Sequence, residues 1–147
     1  MEADLNSPDY HFNRGYELFK QRQFEEALKE FDLAIKLNPN NSEYHYYKGS
    51  TLLELKRYEE ALKEAEIAIE LDPNNPDHHF LRGDTFLAFE RYDEAIKEFY
   101  KAIELDPKNP NYHFLKGDTL FLLRRFEEAL EEFGKAIKLD RDDAEYI

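Results

Sequence analysis

Four of the chain's five histidines, His11, His45, His79 and His113, recur at a fixed step of 34 residues. Each stands four residues ahead of a glycine, as in HFLRGDTFL (79–87) and HFLKGDTLF (113–121), with cousins HFNRGYELF (11–19) and HYYKGSTLL (45–53). Imidazoles stacked at a regular interval could form a metal ladder or a pH sensor. Neighbouring helix axes lie roughly 8–10 Å apart, so two rings just reach one ion through Zn–N bonds of about 2.0–2.1 Å. A further ligand is then needed, and neither a cysteine nor an HExxH pair supplies it. His78 and His79 are adjacent, so their rings diverge. The histidines therefore read as packing residues at an inter-helix seam, with no metal and no cofactor expected. A partly buried imidazole, with a free pKa of about 6.5, resists protonation, which predicts a fold that weakens as pH falls below that value.

Other chemistry fares no better. DPNNPD (72–77) alternates oxygen side chains like a calcium loop, but prolines interrupt it and Gly83 occupies the twelfth place, where a bidentate Glu belongs. No Gly-rich phosphate cradle or Ser-centred elbow is present, and every conspicuous residue recurs with the repeat, whereas catalysis needs an asymmetric cluster. The expectation is not an enzyme. Lys and Arg total 20 against 33 Asp and Glu, a formal net charge of −13. Such a surface repels polyphosphates and anionic membranes. No apolar run approaches the roughly 20 residues that span a bilayer, and MEADLNSPDY is unlike a signal peptide. A cytoplasmic protein is the resulting expectation.

The elements that must position these residues follow from the same period. Gly15, Gly49, Gly83 and Gly117 are 34 residues apart, as are Ala27, Ala61, Ala95 and Ala129, then Ala34, Ala68, Ala102 and Ala136, then Pro39, Pro73 and Pro107. A constant period of this length marks stacked repeats. Within a unit, apolar residues fall at steps of three and four (Phe12, Gly15, Leu18, Phe19; then Phe24, Ala27, Leu28, Phe31, Ala34, Ile35), which predicts two amphipathic helices. Ser7-Pro8, Asn75-Pro76 and Asn109-Pro110 each offer an N-cap side chain before a first-turn proline. Asp9, Glu43 and Asp77 add negative charge to the first turn. The second helix begins near Phe24, Tyr58, Tyr92 and Phe126, and stops before Asn38-Pro39, Asp72-Pro73 and Asp106-Pro107, because a residue preceding proline leaves the helical region. Gly15 and its equivalents are expected to face Ala27 and its equivalents, with the rings at Phe24, Phe31 and their repeats filling the surroundings.

These units, 8–41, 42–75, 76–109 and 110–143, closely resemble tetratricopeptide repeats. The segment YDEAIKEFYKAIELDPKNP (92–110) carries the family's aromatic, alanine and proline places. The resemblance implies an all-α solenoid of four helix-turn-helix pairs in a right-handed superhelix, one repeat domain over 1–147. Departures are His11, His45, His79 and His113 at the fourth place and Arg14, Lys48, Arg82 and Lys116 at the seventh, where leucine is common. Ala65 stands where other units have Phe31, Phe99 and Phe133, so the second unit should pack less fully. Arg141 replaces the fourth closing proline, and DAEYI (143–147) matches NSEYH (41–45), so that 144–147 reads as the start of a fifth helix pair in a longer array or as a truncated end that lacks a polar capping helix.

The family's partners lie along the concave face lined by first helices. Carried onto this chain, that face includes Phe12, Tyr16, Tyr46, Tyr47, Asp77, Phe80, Leu81, Asp84, Phe114, Leu115, Asp118 and Leu122. The Lys, Arg and Asn clamp with which some members hold chaperone C-termini is absent from the fifth and ninth places. What remains is an apolar groove edged by acids, suited to a protein or peptide ligand with apolar anchors and Lys or Arg between them. Two alternatives stand beside this scaffold. The very regular spacing fits an engineered repeat protein with no natural ligand, though Ala65, Ser42 and Gly134 fit natural drift. Self-association is the other, through apolar residues Ile137, Leu139, Tyr146 and Ile147 at an uncapped end.

Overall fold

The computed structural model describes residues 6–145, with side chains through residue 143. Among these residues the chain forms eight α-helices and no strand: α1 (Pro8–Lys20), α2 (Phe24–Leu37), α3 (Ser42–Glu54), α4 (Tyr58–Leu71), α5 (Pro76–Ala88), α6 (Tyr92–Leu105), α7 (Pro110–Leu122) and α8 (Phe126–Glu145). They fall into two compact units, Met1–Pro73 and Asn74–Ile147. In the first, α1 packs on α2 and α3 on α4, and α3 also touches α2 and α1. In the second, α5 to α8 repeat that scheme.

Local chemistry sets the helix ends. Ser7 Oγ accepts a hydrogen bond from the Tyr10 amide at 3.1 Å, and Asn41, Asn75 and Asn109 each accept one from the amide two residues on, at 3.0, 3.0 and 2.9 Å. These side chains satisfy amides that have no intrahelical partner. The first helix of each pair ends by a different device. Arg22, Lys56, Glu90 and Arg124 adopt left-handed φ values of 61–63°. The following amide then bonds back to Leu18, Leu52, Phe86 or Leu120, each at 2.9 Å. This is the Schellman arrangement, normally built on glycine because a Cβ is crowded in that conformation.

Each core forms where the two helices of a pair meet. Ala27, Ala34, Ala61, Ala68, Ala95 and Ala102 are fully buried, as are Phe31 and Phe99. The glycines serve these rings. A Cβ added to Gly15, Gly83 or Gly117 would lie 2.7 Å from the ring of Phe31, Phe99 or Phe133. The nearest neighbour is thus the aromatic ring, not the alanine at the Ala27 place. Each glycine is a socket for a phenylalanine on the partner helix. Thr51, Thr85 and Thr119 are also fully buried, and each hydroxyl donates to the carbonyl four residues back.

The C-terminal expectation needs correction. No new helix begins at residue 143, because α8 continues through Glu145, 20 residues against 14 in α2, α4 and α6. Proline ends those three helices, whereas Arg141 has an amide to donate and lets α8 continue. Tyr146 and Ile147 lie outside the described residues.

Candidate functional site

The fifth, ninth and thirteenth residues of each unit fall four apart on the first helix, so they share one stripe. On α1 and α3 this stripe is Phe12, Tyr16, Lys20 and Tyr46, Ser50, Glu54; on α5 and α7 it is Phe80, Asp84, Ala88 and Phe114, Asp118, Leu122. The two units use the stripe differently.

In the first unit its rings pack on one another. Phe12 lies 5.0 Å from Tyr44 and 5.9 Å from Phe31 between centroids, while Tyr47 is surrounded by Phe12, Tyr16, Phe19, Phe31 and Tyr46 at 4.9–6.1 Å. Edge and tilted contacts at these distances are favourable, so Phe12, Tyr16, Tyr46 and Tyr47 are largely committed to each other and all four are only half-exposed.

In the second unit Phe80 packs on Phe99 and Tyr112 at 5.7 and 5.1 Å. Leu81 is only 3% exposed, so it belongs to the core and drops out of the contact surface. Asp77 accepts a 2.6 Å hydrogen bond from the Tyr112 hydroxyl. It therefore joins α5 to α7, just as Asp9 accepts from Tyr44 at 2.6 Å between α1 and α3. Burial, and then the bond to Asp9, pushes the Tyr44 phenol up to about 12. By contrast Phe114 and Leu122 remain exposed, at 50% and 53%. Between them is half-buried Asp118, which no donor or cation reaches among the described residues. Loss of water alone raises its pKa. Leu115 and Asp84 are half-buried beside this stripe.

The histidines belong to a separate device. His11, His45, His79 and His113 donate from Nδ1 to Glu30, Glu64, Glu98 and Glu132 at 2.7, 2.7, 3.0 and 2.8 Å. The seventh-place cation approaches the other carboxylate oxygen: Arg14 at 3.7 Å, and Lys48, Arg82 and Lys116 at 3.2 Å. Both departures from the family pattern are thus one His–Glu–Lys/Arg triad joining the two helices of a pair. The four glutamates recur 34 residues apart, 19 after each histidine, a signal the sequence carried but the apolar pattern hid. Among the described residues no group of three His, Asp or Glu could hold a metal ion.

At His45 the balance runs against the acid-sensitivity expected above. Its Nε2 lies 2.7 Å from the Pro39 carbonyl while Nδ1 lies 2.7 Å from Glu64. Both acceptors lack a proton when Glu64 is ionised, an arrangement that favours the protonated ring. Burial pulls its pKa down, but the bonds to Glu64 and Pro39 outweigh that and leave it raised. Glu64 shows the mirror image: burial pushes it up, and His45 with Lys48 brings it below the usual carboxylate value.

The sequence profile of the tetratricopeptide repeat matches this chain over residues 12–76, 57–110 and 80–144. The chain belongs to the tetratricopeptide repeat family. Its repeats are similar in structure to MamA (residues 41 to end) from Desulfovibrio magneticus RS-1, at 29% identity and a TM-score of 0.84 over 93% of this chain and 77% of that one. YrrB, described as a tetratricopeptide repeat protein with an unusual peptide-binding site, aligns at 26% identity with a TM-score of 0.79, covering 95% of this chain and 72% of that one. TTC0263, a thermophilic protein from Thermus thermophilus, shares the fold at 20% identity and a TM-score of 0.86, over 92% and 75%. A 33-residue stretch is 52% identical to the Hsp70-Hsp90 organising protein of Plasmodium falciparum (isolate 3D7), 22% of this chain and 6% of that relative's length. Tetratricopeptide repeats form a scaffold family that mediates protein–protein contacts. No helix among the described residues is long and apolar enough to cross a membrane.

Proposed function

We propose that this tetratricopeptide repeat chain is a non-catalytic interaction module. Its first-helix stripe takes a peptide or protein segment with apolar anchors and an interposed Lys or Arg. The observation that carries this reading is Asp118, a half-buried carboxylate with no cation of its own, between exposed Phe114 and Leu122 on one side of α7. Keeping an ionised carboxylate partly out of water without a partner costs free energy, and a cation delivered by a ligand recovers it. The flanking ring and leucine supply the apolar anchor sites on which a helical or extended segment gains most of its affinity. Asp84, at the same place on α5, extends the acidic edge. The peptide-binding site described for YrrB gives this use of the fold a precedent.

The test is an NMR titration of the intact chain with two peptides of equal apolar content, one carrying Lys between its Leu and Phe residues and the other Glu. The lysine peptide is expected to shift the amides of Phe114, Asp118 and Leu122, and Asp118→Lys to abolish the shifts without changing helicity. Equal binding of both peptides, or shifts confined to other helices, would overturn the reading.

A further inference from the structure

His45 differs from its counterparts in what the second ring nitrogen meets. Among the described residues the rings of His11 and His113 each have one hydrogen-bond acceptor, Glu30 or Glu132, at Nδ1. His45 has two, Glu64 at Nδ1 and the Pro39 carbonyl at Nε2, each at 2.7 Å. That carbonyl belongs to the turn 38–41, which joins α2 to α3. No backbone amide donates to it among the described residues, so the ring is the donor that holds it. Asn38 and Asn41 shape the turn at its two ends, accepting from the amides of Asn40 and Glu43 at 3.3 and 3.0 Å. His45 ties its middle, through Glu64, to α4.

The ring is only 5% exposed, so its neighbours rather than water decide its charge. From α4 come Glu64 and, one turn earlier, Glu60, which is itself paired with Arg57. From α3 comes Lys48, and from α2 Asp32. From α1 comes Asp9, held by the hydroxyl of Tyr44, the residue before His45. The turn 38–41 is Asn-Pro-Asn-Asn and carries no charge. Lys48 opposes a cationic ring, but it is divided between Asp32 at 2.9 Å and the second Glu64 oxygen at 3.2 Å. The His113 triad lacks that relief. There Lys116 lies 4.8 Å over the ring of Tyr100, which takes the place in its unit that Asp32 has in the first.

We infer that His45 is a proton-operated latch on the α2–α3 turn. Protonated, the ring bridges Glu64 and the Pro39 carbonyl and fastens the turn to α4. A neutral ring has one N–H left to donate. The charged Glu64 retains it, because a hydrogen bond to a carboxylate is roughly twice as strong as one to a neutral carbonyl. The Nε2 lone pair then faces the lone pairs of the Pro39 oxygen at 2.7 Å. That contact repels, so the carbonyl turns to water and the turn is released. The latch closes in acid and opens in alkali, the reverse of a histidine buried as a neutral base. It is independent of the peptide reading, which rests on α7.

The test is NMR of the intact, isotope-labelled chain between pH 5.5 and pH 9. The His45 ring carbons are expected to titrate above the free value of about 6.5. The Pro39 carbonyl carbon and the amides of Asn40 and Asn41 should move with the same midpoint, since the bond and the proton are lost together. Glu64→Gln should lower that midpoint by about one unit or more, a tenfold weaker hold on the proton. His45→Gln, at unchanged helicity, should leave the Pro39 carbonyl carbon without the titration. A His45 midpoint at or below 6.5 would overturn the proposal. So would a Pro39 carbonyl that does not follow the ring, or one that still titrates in His45→Gln.

Discussion

Substituting Gly83 by alanine opposes two effects whose sizes the structure lets us compare. Alanine in a helix interior is favoured over glycine by about 0.8–1.0 kcal/mol. The new Cβ would lie 2.7 and 2.9 Å from two ring carbons of Phe99 and 3.2 Å from the Glu98 Cβ. Neither neighbour yields easily: Phe99 is fully buried, and Glu98 is held by His79 and Arg82. Overpacking of this kind costs roughly 1–3 kcal/mol after relaxation. With distances below any ordinary contact, the upper half of that range applies and the net effect is destabilising by about 1–2 kcal/mol. In urea this lowers the unfolding midpoint by roughly 0.5–1 M. Phe99→Leu provides the cycle, since trimming the ring should make the pair of changes less costly than their sum by at least about 0.5 kcal/mol. Gly134→Ala is the matched control. With open space around it, this change should stabilise by about 0.5–1 kcal/mol. If Gly83→Ala proved as stable as the unaltered chain, the socket account of the repeating glycines would be wrong.

Three further outcomes follow from the same geometry. His45 is stabilised as a cation by Glu64 and the Pro39 carbonyl, beside Lys48, which itself bonds Asp32. Its raised pKa means that its contribution is complete below the unfolded value of about 6.5 and is lost as pH rises through the folded value. Glu64, with a lowered pKa, contributes above its unfolded value of 4.5 and loses this as pH falls. The stability gap between the unaltered chain and His45→Gln, measured by urea unfolding, should therefore be larger at pH 5.5 than at pH 9. Lys56→Gly and Glu90→Gly, at φ 61°, should each stabilise by about 0.5–1 kcal/mol in the same assay, because glycine accepts the left-handed conformation without crowding. Tyr112→Phe removes the donor to Asp77 and should cost about 1.5–3 kcal/mol, the range for a hydrogen bond to a charged group.

Much of the fold was legible because the period fixed it. Proline and its preceding Asn or Asp fixed the ends of α2, α4 and α6, and Phe24, Tyr58, Tyr92 and Phe126 begin the second helices as the apolar spacing predicts. What escaped lay in polar residues and in the backbone. The glutamates of the histidine triads sit on second helices already dense with acids, so nothing in a list of charges separates a buried carboxylate from its solvated neighbours. Arg22, Lys56, Glu90 and Arg124 gave no warning of left-handed turns, since the usual glycine is missing. At the end of α8 the likeness of DAEYI to NSEYH does not start a new helix, because the stop proline is lost at Arg141 and the helix runs on to Glu145. The first-helix stripe was visible as a row of rings, but only packing distinguishes the self-occupied rings of α1 and α3 from Phe114 and Leu122.

The central claim, that the α5 and α7 stripe reads apolar and basic segments, is tested most directly by selecting a random peptide display library on the immobilised intact chain. Selected sequences should alternate Leu, Phe or Ile with Lys or Arg, and lose binding to a chain carrying Asp84→Lys and Asp118→Lys. Enrichment of acidic peptides, or binding untouched by that double change, would contradict it.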